Sequence, residues 1–184
     1  MRKRDTAARV TALAALFCAI IVICSLICIP VFAVPITLQL FGIYAALYIL
    51  GGKLGTLCVL VYVLLGAIGL PVFSGFSGGV GRLFDATGGF ILGFILLSLV
   101  YWIIRRYTDK LKYSVLIATV ASLCVLYTVG SLWYCVVYLG DISRIGAALL
   151  TTVLPFIPFD VLKILLALTV SERILSKTNL HILK

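Results

Sequence analysis

Asp160 and Lys163 stand three residues apart in the run Pro155–Val170, where no other side chain ionises. Three residues is close to one helical turn, so the carboxylate and the ammonium can meet on one face. A charge at mid-bilayer costs roughly 3 kcal/mol on insertion scales, and ionisable residues in membrane segments pair, line a cavity or hold a ligand. Such a pair can serve a proton relay, an ion path, a clamp at a helix start, or the polar floor of a pocket whose ligand offers both donors and acceptors.

A second candidate chemistry is nucleophilic. Ser77 lies in Gly75-Phe-Ser-Gly78, the Gly-x-Ser-Gly string found around the serine nucleophile of rhomboid-type intramembrane proteases. That serine needs a general base. The single histidine, His181, falls in the tail after the last apolar run, across the membrane from Ser77 in the topology below. Lys163 could serve only if freed from its carboxylate neighbour. Catalysis at Ser77 is therefore the lesser alternative, and no catalytic residue is assigned.

Cys18, Cys24, Cys28, Cys58, Cys124 and Cys135 all lie in apolar runs without Cys-x-x-Cys or Cys/His ligand spacing. They read as small buried hydrophobes, so neither a disulfide framework nor a metal site is expected. No cofactor is expected either. The Gly-x-x-x-x-Gly-Lys-[Ser/Thr] phosphate loop is absent, so any ATP-driven work must come from another chain.

The elements that must position these residues follow from composition. Sixty-four per cent hydrophobic and 11% charged residues over 184 positions, with a mean hydropathy of +1.27, mark an integral membrane protein. A spanning helix needs about 20 apolar residues, so the chain holds roughly six or seven spans at most, in a single domain over 1–184. The net charge of +9 raises the question of nucleic acid. Its placement argues topology instead. Arg2, Lys3, Arg4 and Arg9 precede the first apolar run, Lys53 separates the second from the third, Arg105, Arg106, Lys110 and Lys112 follow the fourth, and Arg173, Lys177 and Lys184 close the chain. With six alternating helices all of these share one side, while Arg82 and Arg144 fall on the other. The positive-inside rule then puts both termini in the cytoplasm, and no nucleic acid partner is expected. The basic start followed by Thr11–Ile29 has the look of a secretory signal, but its apolar run exceeds the roughly 7–15 residues of a signal core and reads as a helix.

Helix 1 is expected over Ala7–Ile29, stopped by Pro30. Ala8, Ala12, Ala15 and Ala19 step by four, three and four, a small-residue face suited to close helix docking. The segment from Pro30 to Gln39 is too proline-broken for a helix and too apolar for a solvated loop, and should cap the bundle. Helix 2 spans Leu40–Gly51, Gly51–Gly55 forms a tight turn, and helix 3 runs to Ile68. A glycine-rich segment, 69–89, leads into helix 4, opened by Asp85 or Thr87 as N-cap and ending at Arg105-Arg106. Helix 5 covers Tyr113–Tyr138 with Trp133, Tyr134 and Tyr138 as an interfacial belt. A short helix over Ile142–Leu154 precedes helix 6, which starts near Pro158 and sets Asp160 and Lys163 in its first turns, shallow on the outer side.

Four segments in order, Pro35-Ile-Thr-Leu-Gln39, Gly66-Ala-Ile-Gly-Leu-Pro-Val-Phe73, Gly78-Gly79 with Thr87-Gly-Gly-Phe90, and Pro158-Phe-Asp-Val-Leu-Lys163, together resemble one family across nearly the whole chain. It is the BioY family, the biotin-specific substrate-capture (S) components of energy-coupling factor (ECF) transporters. Where that family commonly reads Gly-Pro-Thr-Gly-Gly-Tyr, this chain has Asp85-Ala-Thr-Gly-Gly-Phe90, and Arg82 matches no family motif. The resemblance implies a multi-pass protein of the bacterial cell membrane with an outward-facing biotin pocket closed by the loop after helix 1. Its implied partners are a transmembrane coupling subunit and two ATPases, docked through the Ala8/Ala12/Ala15/Ala19 face. Biotin carries two ureido N–H donors, one ureido carbonyl, an apolar thioether ring and a carboxylate, so its pocket needs both polarities and apolar walls. Asp160 and Lys163 supply both polarities. Thr37, Gln39, Ser74 and the backbone at Gly79 are candidates for the remaining polar contacts, and Phe41, Tyr44 and Phe73 for the walls. An S component for another vitamin is the nearer alternative.

Overall fold

The computed structural model describes residues 3–30 and 34–178. Six helical elements carry the fold: α1 (Lys3–Leu26), α2 (Gln39–Ala67), α3 (Gly88–Thr108), α4 (Ser114–Trp133), α5 (Ile145–Thr152) and α6 (Ile157–Lys177). Ala8–Leu26, Gln39–Ala67, Gly88–Thr108 and Ser114–Leu139 are each long and apolar enough to cross a membrane. The pair Ile142–Thr152 and Ile157–Lys177, bent by 57°, adds a fifth candidate span.

α2 is not one rod. At Gly51 the backbone takes φ 81° and ψ 168°, a region essentially closed to any residue with a Cβ. The chain reverses there. Gln39 and Tyr62 are hydrogen-bonded at 2.6 Å, whereas 23 residues of straight helix would hold them roughly 34 Å apart. The arms 39–50 and 52–67 therefore run antiparallel. The expected turn over Gly51–Gly55 is in fact one residue long. Gly52 and Gly55 are already helical, and their missing side chains allow contact: a Cβ on Gly55 would lie 2.9 Å from Leu47 Cα, and one on Gly52 2.8 Å from Trp102 Cα in α3.

The cap after α1 has defined structure at both ends. α1 stops at Leu26, short of the expected Ile29, because Cys28 and Ile29 leave the helix to pair antiparallel with Ile36 and Thr37 as strands β1 (Cys28–Ile29) and β2 (Ile36–Thr37). Leu38 N–H closes the junction by donating to Cys24 and Ile27 carbonyls at 3.1 and 3.2 Å.

Glycine contacts also seat α3 on α4. A side chain at Gly89 would strike Trp133, one at Gly93 would meet Leu126, and one at Gly130 would strike Phe90. α3 runs past Arg105-Arg106 to Thr108, where Thr108 and Arg105 both bond Ser114 at the start of α4. Past Trp133, α4 widens into a π-helical turn over Tyr134–Leu139, ended by Gly140 in the left-handed conformation. Only Tyr138 of the expected aromatic belt is exposed. Tyr134 is buried, and Trp133 packs on Phe84 while its indole N–H donates to the Asp85 carbonyl at 3.2 Å.

The core is aromatic and polar where helices cross. Tyr44 Oη donates to the Thr119 carbonyl at 3.0 Å and meets Ser122 Oγ at 3.0 Å, while Tyr48 pairs with Thr119 Oγ1 at 2.9 Å. These bonds tie the first arm of α2 to α4 and pair the hydroxyls of Tyr44, Tyr48, Thr119 and Ser122.

Candidate ligand-binding site

A cavity of about 60 Å³ lies at the end of the bundle opposite the Gly51 turn. Four regions converge on it: the cap after α1, the loop between α2 and α3, the facing sides of α3 and α4, and the start of α6.

Asp160 and Lys163 form its charged wall. Pro158 occupies the first turn of α6, where its missing N–H costs no helical bond, and the following turn brings the pair into register. Lys163 Nζ lies 2.7 Å from Asp160 Oδ1, and both residues are buried, at 5% and 6% exposure. The second carboxylate oxygen is also satisfied, by Tyr127 Oη from α4 at 2.8 Å. A buried ion pair persists only when such further hydrogen bonds complete it. Lys163 has three N–H groups and spends one on Asp160; each carboxylate oxygen can accept a further bond. The wall thus offers donors and acceptors side by side.

The cap contributes Val34, Pro35, Thr37 and Gln39. Thr37 Oγ1 donates to Gln39 Oε1 at 2.8 Å, Gln39 Nε2 donates to Tyr62 Oη at 2.6 Å, and Tyr62 Oη donates to Ser25 Oγ at 3.0 Å. This relay fastens strand β2 to the second arm of α2 and to α1. The cap is held by side chains that also face the cavity.

The glycine-rich loop presents Phe73 and Ser74. Phe73 and Ser77 exchange backbone bonds at 2.9 and 3.3 Å, with Gly75 and Phe76 at positive φ between them, a tight hairpin that directs Ser74 inward. Phe73 is fixed against Tyr62 edge-to-face at 5.6 Å and fills the space left by Gly66. Ser77 Oγ donates to the Ser74 carbonyl at 2.8 Å, a turn-stabilising bond, and no imidazole stands near it among the described residues. His181 lies outside the described residues.

Of the residues expected at a site, Thr37, Gln39, Phe73, Ser74, Asp160 and Lys163 come together here. Phe41, Tyr44 and Gly79 do not line the cavity. Phe41 stands two positions beyond Gln39, roughly 200° around the helix. Tyr44 is turned to α4, where its hydroxyl finds two partners. Gly79 sits behind the loop, its N–H donating to the Gly66 carbonyl at 2.7 Å.

Sequence reasoning missed Tyr127 and Thr87 on the polar side, and Phe90, Phe94 and Phe156 on the apolar side. Thr87 was read as a helix cap. It does occupy the N-cap position of α3, but its hydroxyl makes no capping bond. Asp85 does not cap α3 either: its carboxylate pairs with Arg82 at 2.6 Å and accepts from Ala86 N–H at 2.7 Å. Thr87 Oγ1 is buried on the cavity wall with no protein partner among the described residues. Tyr127 carried no local signal, because its role depends on α4 and α6 facing each other across the cavity.

The BioY family model matches residues 1–179. A biotin transporter BioY of Thermotoga maritima is 38% identical over 161 residues, covering 88% of this chain and 92% of that protein. A probable biotin transporter BioY of Pyrococcus horikoshii is 35% identical over 171 residues, covering 93% and 99%. The fold superposes, with a TM-score of 0.79 and 26% identity, on a 2.1 Å crystal structure of the S-component for biotin from an ECF-type ABC transporter, covering 97% of this chain and 95% of that one.

Proposed function

The chain belongs to the BioY family, and we infer from that membership that it is a multi-pass membrane subunit that binds biotin for uptake. It is a transport subunit and not an enzyme. The observation that carries the ligand reading is the buried Asp160–Lys163 pair, completed by Tyr127 and set in a cavity with apolar walls.

In this reading Asp160 accepts a ureido N–H on a lone pair left by Lys163 and Tyr127. Lys163 keeps its bond to Asp160 and donates a second N–H to a ligand oxygen. Thr87 donates its unspent hydroxyl, Ser74 adds another, and Phe73, Phe90 and Phe156 enclose the thioether ring. Thr37 and Gln39 shut the cap through the Tyr62–Ser25 relay. No proton has to cross the membrane for any of these steps. The vitamin is held by matching donors to acceptors, then enclosed.

Six spans are proposed: α1, the two arms of α2, α3, α4 with its π-helical extension, and α6. The first arm, 12 residues or roughly 18 Å, is short for a bilayer, and the cap completes the depth where protein covers it. Lys53, Arg105 and Arg106 gather at the end away from the cavity, in keeping with cytoplasmic termini and an outward-facing site in the cell membrane. Energy comes from a separate ECF module, a coupling transmembrane subunit and two ATPases. Ala8, Ala12, Ala15 and Ala19 are all exposed, leaving their face of α1 open for that subunit.

Calorimetric titration of the purified protein with biotin, riboflavin and thiamine tests the reading. Saturable binding of biotin alone at or below micromolar ligand is expected; no biotin heat, or preference for another vitamin, overturns it.

A further inference from the structure

A second, larger crevice opens at the opposite end of the bundle, around the Gly51 turn. It has a volume of about 660 Å³ and lies between the α2 turn, the last turns of α3, the start of α4 and the second half of α6. One side is apolar, built by Leu47, Leu50, Leu54, Val115, Leu168 and Leu175. The rim is basic. Arg105 is held by Ser114 at 2.6 Å and Asp109 at 2.8 Å, but Lys53 and Arg106 are exposed and have no ion-pair partner among the described residues. Glu172 is the remaining carboxylate on the lining, so the unpaired charges favour an anion.

An independent observation marks the crevice as unfinished. Ser171 lines it at 2% exposure, and its hydroxyl has no hydrogen-bond partner among the described residues. A buried hydroxyl in that state costs free energy unless something completes it. In a helix a serine can return its hydroxyl to a backbone carbonyl one turn back, as Ser98 does with Ile95; Ser171 does not.

We propose that this crevice binds one anionic phospholipid, its phosphodiester between Lys53, Arg106 and the Ser171 hydroxyl, and an acyl chain along the leucine wall. A free phosphate would satisfy the cations but leave most of the volume, and the partly exposed Leu54, Leu168 and Leu175, uncovered. A zwitterionic lipid would bring a choline cation against Lys53 and Arg106. Basic pockets between membrane helices on the cytoplasmic side select anionic headgroups for this reason. The site is separate from the cavity holding Asp160 and Lys163, with which it shares no lining residue.

The test is native mass spectrometry of the full chain released from micelles containing equal amounts of dioleoyl phosphatidylglycerol and dioleoyl phosphatidylcholine. Wild-type protein should retain one phosphatidylglycerol in preference to phosphatidylcholine. The double variant Lys53→Gln/Arg106→Gln should lose roughly thirtyfold in that preference, for two basic groups. Ser171→Leu, which removes the hydroxyl and fills its space, should lower retention while biotin affinity stays unchanged, showing that the fold is intact. Equal retention of the two lipids overturns the proposal, as does a preference that survives the double variant. Soluble glycerophosphoglycerol tests the source of the anion: displacement of the lipid at equal concentration would mean that the headgroup alone is the ligand, and overturns it too.

Discussion

Gln39 and Tyr62 belong to the same helical element and lie 23 positions apart, yet the Gln39 amide donates to the Tyr62 hydroxyl at 2.6 Å. The contact exists because Gly51 folds α2 back on itself, and it anchors the cap over the cavity. A glycine at one end of the bundle thus sets the geometry of a polar relay at the other.

Gly51→Ala should therefore act at a distance. A Cβ at φ 81° and ψ 168° is strained by about 1–3 kcal/mol. Thermal unfolding in detergent should fall by several degrees, and biotin affinity should drop even though no ligand contact changes. Unaltered melting and binding would show that the turn relaxes freely.

Lys163→Ala leaves Asp160 buried with Tyr127 as its remaining partner. Breaking a buried pair costs about 3–5 kcal/mol, so the variant should be less stable and lose biotin binding by a hundredfold or more. Calorimetry on folded variant protein checks this; unchanged affinity removes Lys163 from the site.

Tyr127→Phe deletes one bond to a carboxylate at almost constant volume. Such bonds contribute about 1.5–3 kcal/mol, so biotin should bind at least roughly tenfold more weakly. In a double-mutant cycle with Lys163→Ala the losses should be non-additive, because both residues act through Asp160. Additive losses would mean that they contact the ligand independently.

Thr87→Val is expected to separate binding from stability. Its hydroxyl has no protein partner among the described residues, so removing it should leave the melting temperature of the ligand-free protein unchanged or slightly raised. Biotin affinity should nevertheless fall about five- to tenfold, the loss of roughly one hydrogen bond. A fall in both would indicate a structural role.

Ala12→Leu and Ala15→Leu place bulk on the exposed small-residue face of α1. Biotin titration should be unaffected, while co-purification with the coupling subunit and ATPases should fail. Recovery of a normal complex would dismiss this face as the docking surface.

Much of the molecule was readable from local chemistry. Pro158 opened α6, and the spacing of Asp160 and Lys163 put the two charges on one turn, whereas α1 ended at Leu26, before Pro30, where the chain turns into strand β1. The errors share a cause. Gly51–Gly55 read as a turn because glycine permits bends, but Gly52 and Gly55 serve close packing against Trp102 and Leu47. Tyr44 read as a pocket wall, yet its hydroxyl is taken by Thr119 and Ser122 from 75 and 78 positions away.

The sequence by itself determined that the chain is a membrane bundle, which end carries its positive charge, and that one ion pair must be buried together. Those conclusions rest on composition and on contacts within a helical turn, where spacing dictates proximity. Only the tertiary structure decided which distant groups meet that pair. Tyr127 reaches Asp160 because α4 faces α6 across the cavity, and Thr87 is left without a partner among the described residues because α3 starts at the cavity wall. Contacts between helices depend on packing registers that no local pattern encodes, so the pocket's charged floor was legible and most of its walls were not.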